Sequence, residues 1–230
     1  MKIITIPDLH GKSLWKKLEV SAYDKIIFLG DYVDSKGEVP DEAEVENLDQ
    51  IIALKKQFPQ KVVLLIGNHD LHYLHYPAFR ASAFNVKIQP QLTTLFQDNK
   101  AYFQNAFQLG NHLWTHAGVS QSWYNQHHAL FQEMGDSLIL EQKLQKMGET
   151  HLRELAEASP LRGGMSPYGG IFWADQAETR HDYLPLFHQY VGHTKVRDIM
   201  VYGDETSSIH YLDCLNSKED YLVKTLILNE

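Results

Sequence analysis

The sequence predicts an α/β protein, on three observations. Strand-like apolar runs alternate with segments of helical spacing through the first 70 residues. The run 61–66 (KVVLLI) is apolar on both faces, as a strand covered by helices must be. A chain of 230 residues with 43% hydrophobic content can bury one sizeable core, with or without a small insertion.

Residues 2–7 (KIITIP) read as the first strand. Residues 12–20 read as a helix, with Leu14, Trp15 and Leu18 at helical spacing. A second strand follows at 25–29 (KIIFL). Pro40-Asp41 then opens an acidic first turn, and Val45, Leu48, Ile51, Ile52 and Lys55 continue along a helical face. After the third strand at 61–66, residues 91–109 read as mainly helical and 112–116 (HLWTH) as a strand. Residues 120–158 are polar, charged and helical in pattern, which predicts a helical cap or insertion. The stretch 159–170 (SPLRGGMSPYGG) is a loop by its Gly, Pro and Ser content, and loops of that length tend to be functional. Strand patterns recur at 188–192, 198–202, 207–213 and 221–228. With no repeat and no linker, one domain over residues 1–230 is expected.

Composition narrows the function classes. The formal net charge is −8, from 21 Lys and Arg against 29 Asp and Glu, so a long nucleic acid is a poor partner. A small phosphorylated ligand stays open, because a bound cation inverts the local field. One cysteine, Cys214, excludes an intramolecular disulfide, and its strand-like setting predicts a buried thiol. No apolar stretch approaches bilayer-spanning length, and the N-terminus does not read as a signal peptide. A soluble, cytoplasmic protein is therefore expected, and nothing in the sequence sets its oligomeric state.

The informative residues stand where strands end. Strand one leads into Asp8-Leu9-His10-Gly11, strand two into Gly30-Asp31-Tyr32-Val33-Asp34, and strand three into Gly67-Asn68-His69-Asp70. Later come Thr115-His116-Ala117-Gly118 and Gly192-His193-Thr194. Ligands of open α/β sheets bind outside the carboxyl ends of the strands, so five segments deliver oxygen and imidazole ligands to one plausible place. Asp8 and His10, two apart, can chelate one cation from an extended segment. Asp31 can bridge it to a second, which Asn68, His116 and His193 would complete. Mixed nitrogen and oxygen ligation suits manganese first, with iron, zinc or cobalt as alternatives. Two such ions, about 3.5–4 Å apart, form the clamp used for in-line attack on phosphorus, with a shared water deprotonated as nucleophile.

The series DLHG…GDYVDS…GNHD…HAG…GHT resembles the metallophosphoesterase (calcineurin-like) superfamily, particularly its phosphoprotein phosphatase branch. The motifs run from residue 8 to residue 194. The resemblance implies a four-layer β-sandwich of two mixed sheets flanked by helices, with a dimetal site at one edge. It implies Asp8, His10 and Asp31 for the first ion, and Asp31, Asn68, His116 and His193 for the second. His69 matches the acid that protonates the leaving oxygen, and Asp34 the carboxylate that orients it. Substrates would be phosphorylated small molecules or phosphoproteins.

Three positions depart from the family pattern, and the two lost arginines concern the substrate phosphate. Ser35 and Ile66 stand where the family usually has arginine, and Asp70 where the protein-phosphatase branch tends to have glutamate. Lys36 can supply a point charge, and Arg162, in the Gly/Pro loop, a guanidinium; Arg180 is a weaker contender, and Asn68 would also face the phosphate. His72 and His75 read as supporting or surface residues, and His127, His128, His151, His181 and His188 as exposed. Tyr168, Phe172 and Trp173 flank the loop as cleft walls or as core.

The leading expectation is a dimetal phosphomonoesterase of the serine/threonine protein phosphatase kind. A dinucleoside tetraphosphate hydrolase is the alternative, because its family also shows GNHDLH, the sequence at 67–72. A metal-free scaffold of the same fold predicts missing ligands, whereas every expected ligand position is filled.

Overall fold

A computed structural model describes residues 1–79 and 82–214, together with the backbone of 224–227. The described residues fall into two compact units. One comprises Met1–Gln104 with the strand Lys224–Ile227, and the other begins at Asn105.

The first unit is built on β1 (Lys2–Ile6), β2 (Lys25–Phe28), β3 (Val62–Leu65) and β4 (Phe103–Gln104), which run parallel in that order. A further strand, β10 (Lys224–Ile227), pairs antiparallel with β1 and makes the sheet mixed. The apolar runs become the buried centre: Ile3, Ile26, Ile27, Val62 and Leu64 are fully buried. Parallel pairing places the carboxyl ends of β1 to β4 at one edge, where the polar motifs begin.

Helix α1 (Asp41–Gln57) starts after Pro40 with Asp41, Glu42 and Glu44 in its first turn and ends with Lys55 and Lys56, matching the helix dipole at both ends. Its inner face buries Leu48, Ile51 and Ile52, each worth about 1.5–3 kcal/mol. Helices α2 (Asn68–Leu74) and α3 (Gln89–Asp98) complete the unit.

Two sequence expectations change here. Residues 12–20 form two 3-10 turns, Leu14–Lys17 and Val20–Ala22, rather than an α-helix. A segment so short nucleates poorly, and it is Trp15, bonded through Nε1 to Asn47 Oδ1 at 2.9 Å, that anchors it. The predicted helix at 91–109 stops at Asp98, and Asn99 turns its side chain back onto the Leu95 carbonyl. The rest becomes β4 and the start of a hairpin.

That hairpin opens the second unit: β5 (Ala106–Leu109) and β6 (His112–Thr115) pair antiparallel across Gly110, which has φ 58°. Helices α4 (Gln121–Gln126), α5 (His128–Glu133), α6 (Leu140–Thr150) and α7 (Leu152–Leu155) follow, so 120–158 is helical as its pattern predicts. After the short α8 (Gln176–Thr179) come β7 (His188–Val191), β8 (Met200–Gly203) and β9 (Ser208–Tyr211). The sheet order is β5-β6-β7-β9-β8, with β6, β7 and β9 parallel at its centre. Trp114 and Tyr190 stack there with centroids 4.8 Å apart, and Phe172 and Cys214 are buried.

Both sheets with their helices make the fold α/β, as the sequence predicts. Among the described residues, no helix is long and apolar enough to cross a membrane.

Candidate metal centre and catalytic histidine

In the first unit the ligand atoms of Asp8, His10 and Asp31 lie within 4.8 Å of one another, and both carboxylates are buried. The backbone gathers them. Leu9 and His10 each donate their N–H to the Asp31 carbonyl, at 3.0 and 2.9 Å, so the first motif is tied to the second. His10, Asp31 and Asp34 hold φ of 45°, 52° and 64°. Left-handed backbone at non-glycine residues costs about 1–3 kcal/mol each, and here it turns functional side chains toward one another.

The set fits a cation. His10 Nδ1 lies 2.9 Å from the Val33 carbonyl, which assigns the proton to that nitrogen. Nε2 then presents a lone pair toward Asp31 Oδ2, 3.9 Å away. A lone pair facing a buried carboxylate repels unless a positive charge lies between them. Asp31 Oδ1 meanwhile accepts the backbone N–H of His69 at 3.0 Å, which fixes the carboxylate plane.

Asp70, whose role the sequence left open, holds this edge together. Its carboxylate accepts three backbone N–H groups: Gly67 at 2.9 Å, Asp31 at 2.6 Å and Tyr32 at 2.9 Å. Burial, and next the Asp31 charge, push its carboxyl well above the usual range, while the three donors pull it down. Gly67 is needed for close approach: its φ is −99°, yet an added Cβ would overlap the backbone nitrogen and carboxylate of Asp31.

His69 sits in the first turn of α2, largely buried, with Nδ1 2.6 Å from Asp34 Oδ2. Burial opposes charge on the ring. The Asp31 charge, the Asp34 hydrogen bond and the charges of Asp34 and Asp70 outweigh it, so the net shift is upward. Two residues that the sequence did not single out hold Asp34. Tyr73 donates its hydroxyl to Asp34 Oδ1, and Glu44, buried on α1, accepts the N–H groups of Asp34 and Ser35 at 2.8 and 3.0 Å. Both lie at helical spacing within otherwise ordinary helices, and only the spacing of Tyr73 four residues after His69 hinted at a shared face.

In the second unit, His116 and His193 follow parallel strands β6 and β7, and His116 Nε2 lies 3.2 Å from His193 Nδ1. Two imidazole nitrogens at that distance share a proton or face a cation. Arg162 reaches the same segment: its guanidinium donates to Thr194 Oγ1 at 2.6 Å, and its Nε pairs with Asp175 Oδ2 at 2.8 Å. Trp173, half-buried, meets His193 edge-on at 5.8 Å.

Other expected residues are placed differently. Lys36 stands exposed in the turn after Ser35, its ammonium without a hydrogen-bond or ion-pair partner among the described residues. Asn68 is buried at the start of α2. His72 is buried among Tyr73, Tyr76 and Phe84, and Arg180 is exposed. His127 and His188 are half-buried rather than exposed, because each has a partner, Glu157 and Ser208 respectively, both at 2.8 Å. His151 is half-buried too, its Nδ1 2.8 Å from Thr150 Oγ1.

Residues 1–194 match the family model for the calcineurin-like phosphoesterase. No curated protein matches. Among solved structures, the chain is similar to a cold-active protein-tyrosine phosphatase of a psychrophilic Shewanella species, with a TM-score of 0.57 and 16% identity over 94% of this chain and 72% of that one. It is also similar to a protein serine/threonine phosphatase from Saccharomyces cerevisiae with similarity to human phosphatase PP5. There the TM-score is 0.53 with 15% identity, covering 92% of this chain and 67% of the other. At such identities the likeness shows the fold alone. The match over 194 of 230 residues shows the family: the chain belongs to the calcineurin-like phosphoesterases and is a metal-dependent phosphatase.

Proposed function

We propose that the chain hydrolyses phosphomonoesters in the manner of serine/threonine protein phosphatases, with two manganese ions. The observation that carries this reading is the His69–Asp34 pair, 2.6 Å apart, on the same sheet edge as Asp8, His10 and Asp31. In the proposed assignment Asp8 and His10 hold the first ion, Asn68, His116 and His193 the second, and Asp31 serves both. Within the second unit, the approach of His116 to His193 supports it. When bound, such a pair of cations supplies Lewis-acid polarisation of the phosphoryl oxygens and a more acidic water.

The residues do the rest. Asp34 fixes the His69 ring by its Nδ1 and favours the cationic form, so Nε2–H can deliver a proton to the leaving oxygen. Arg162, held in place by Asp175 and Thr194, is the guanidinium for the substrate phosphate, with Asn68 as a further donor. Lys36, exposed and unanchored, is the weaker choice.

The second reading, hydrolysis of diadenosine tetraphosphate, rests on GNHDLH at 67–72. Its last histidine, His72, is packed among aromatic rings, which favours the monoesterase. Assays of the manganese-loaded protein on p-nitrophenyl phosphate, phosphoserine and phosphothreonine peptides, and diadenosine tetraphosphate decide between them. The proposal expects turnover of the first two. Cleavage of the dinucleotide alone would overturn it.

A further inference from the structure

The first unit carries a surface that this chemistry does not use. Helices α1 and α3 flank a groove of about 780 Å³. Its lining is mostly apolar, with Val45 on one side and Pro90 and Leu95 on the other. Carboxylates rim it. Glu42, Glu46 and Asp49 follow one another along α1 at helical spacing, and Asp98 closes the α3 side. Among the described residues, no lysine or arginine lines it.

Apart from Glu42, which stands in the first turn of α1, these charges have no favourable place in the fold. Among the described residues none of the four pairs with a lysine or arginine; Glu46 accepts one bond, from Gln50 Nε2 at 2.7 Å. Glu42 and Glu46, four apart on a helix, repel each other. Asp98 ends α3, where the helix dipole disfavours a carboxylate. The two lysines of the last turn of α1 are engaged elsewhere: Lys55 donates to the carbonyls of Pro59 and Val62 at 2.8 and 2.7 Å, and Lys56 lies over the Tyr102 ring at 5.5 Å.

We propose that this groove docks a basic amphipathic segment of a partner protein. An apolar side chain of the partner would sit against Val45 and Leu95, and its lysines or arginines would pair with the four rim carboxylates. Charge selects this occupant. A second copy of the chain, at net charge −8, would bring like charge to an acidic face. The inference stands apart from the choice of phosphatase substrate.

The test is fluorescence anisotropy with a labelled lysine–leucine peptide of about 14 residues, patterned as an amphipathic helix. Wild-type protein should bind it, more weakly as salt rises. The triple variant Glu42→Gln/Glu46→Gln/Asp49→Asn should lose affinity by about tenfold, and Val45→Ser should also weaken binding. A variant with the same loss of charge elsewhere, Glu133→Gln/Asp136→Asn/Glu149→Gln, should bind as wild type does. Hydrolysis of p-nitrophenyl phosphate by the groove variants should be unchanged, which shows that they fold. No binding, or equal loss in the control variant, would overturn the proposal. So would a dimer in sedimentation that only the groove variant dissociates.

Discussion

Asp70 Oδ2 accepts the backbone N–H of Asp31 at 2.6 Å, so the helix that carries His69 grips the loop that carries the proposed metal-ligand carboxylate. With Gly67 and Tyr32 also donating to Asp70, one buried side chain ties the second and third motifs together. Asp70→Ala leaves three buried donors without their acceptor. It should lower unfolding free energy by about 2–4 kcal/mol in urea titration, with a parallel loss of activity. An unchanged unfolding midpoint would mean that these bonds do not hold the site.

Gly67 makes that grip possible. Gly67→Ala forces a methyl group onto Asp31, and the structure can relieve the overlap only by moving both its carboxylate and its backbone. Destabilisation of about 1–3 kcal/mol is expected, and metal content should fall further than stability does. Metal analysis of the folded variant reads the difference.

The pair of His69 and Asp34 predicts a leaving-group effect. His69→Gln removes the proposed proton donor, so phosphatase activity on a phosphoserine peptide should fall by about 10²–10⁴-fold. The loss on p-nitrophenyl phosphate should be smaller, since that leaving oxygen needs little help. Equal losses on both would remove His69 from the acid role.

The same pair sets a pH dependence. An acid catalyst works below its pKa, so the rate should fall as pH rises through the raised value of His69. Burial, the largest influence, lowers that value, and Asp31 followed by Asp34 raises it. Asp34→Asn removes one of the raising influences, so the alkaline limb of the kcat profile should move to lower pH. Movement to higher pH would contradict the assignment.

Arg162 predicts a binding defect. Arg162→Ala should raise KM for p-nitrophenyl phosphate and weaken inhibition by inorganic phosphate, each by about tenfold. Lys36→Ala should change neither. The reverse outcome would place the phosphate at the exposed turn.

Much of this was legible before any coordinates. KIITI, KIIF and VVLL are apolar enough to be strands in any setting, and the motifs that follow them need no tertiary information to be seen. The segment 99–109 was not legible, because Phe and Gln recur in FQNAFQL at spacings that suit helix and strand alike. Pairing with His112–Thr115 decided for strand. Nor could the sequence show what Asp70, Glu44 and Tyr73 do. Each acts on a residue ten to thirty-nine positions away, through bonds that exist only once β2, β3 and α1 have packed.

The central claim is a two-ion centre that depends on Asp31. Metal content of the purified, manganese-loaded protein, measured by plasma mass spectrometry beside Asp31→Asn, tests it most directly. The account predicts two ions per wild-type chain, and a loss of both metal and phosphatase activity in the variant. Full occupancy and undiminished turnover in Asp31→Asn would contradict it.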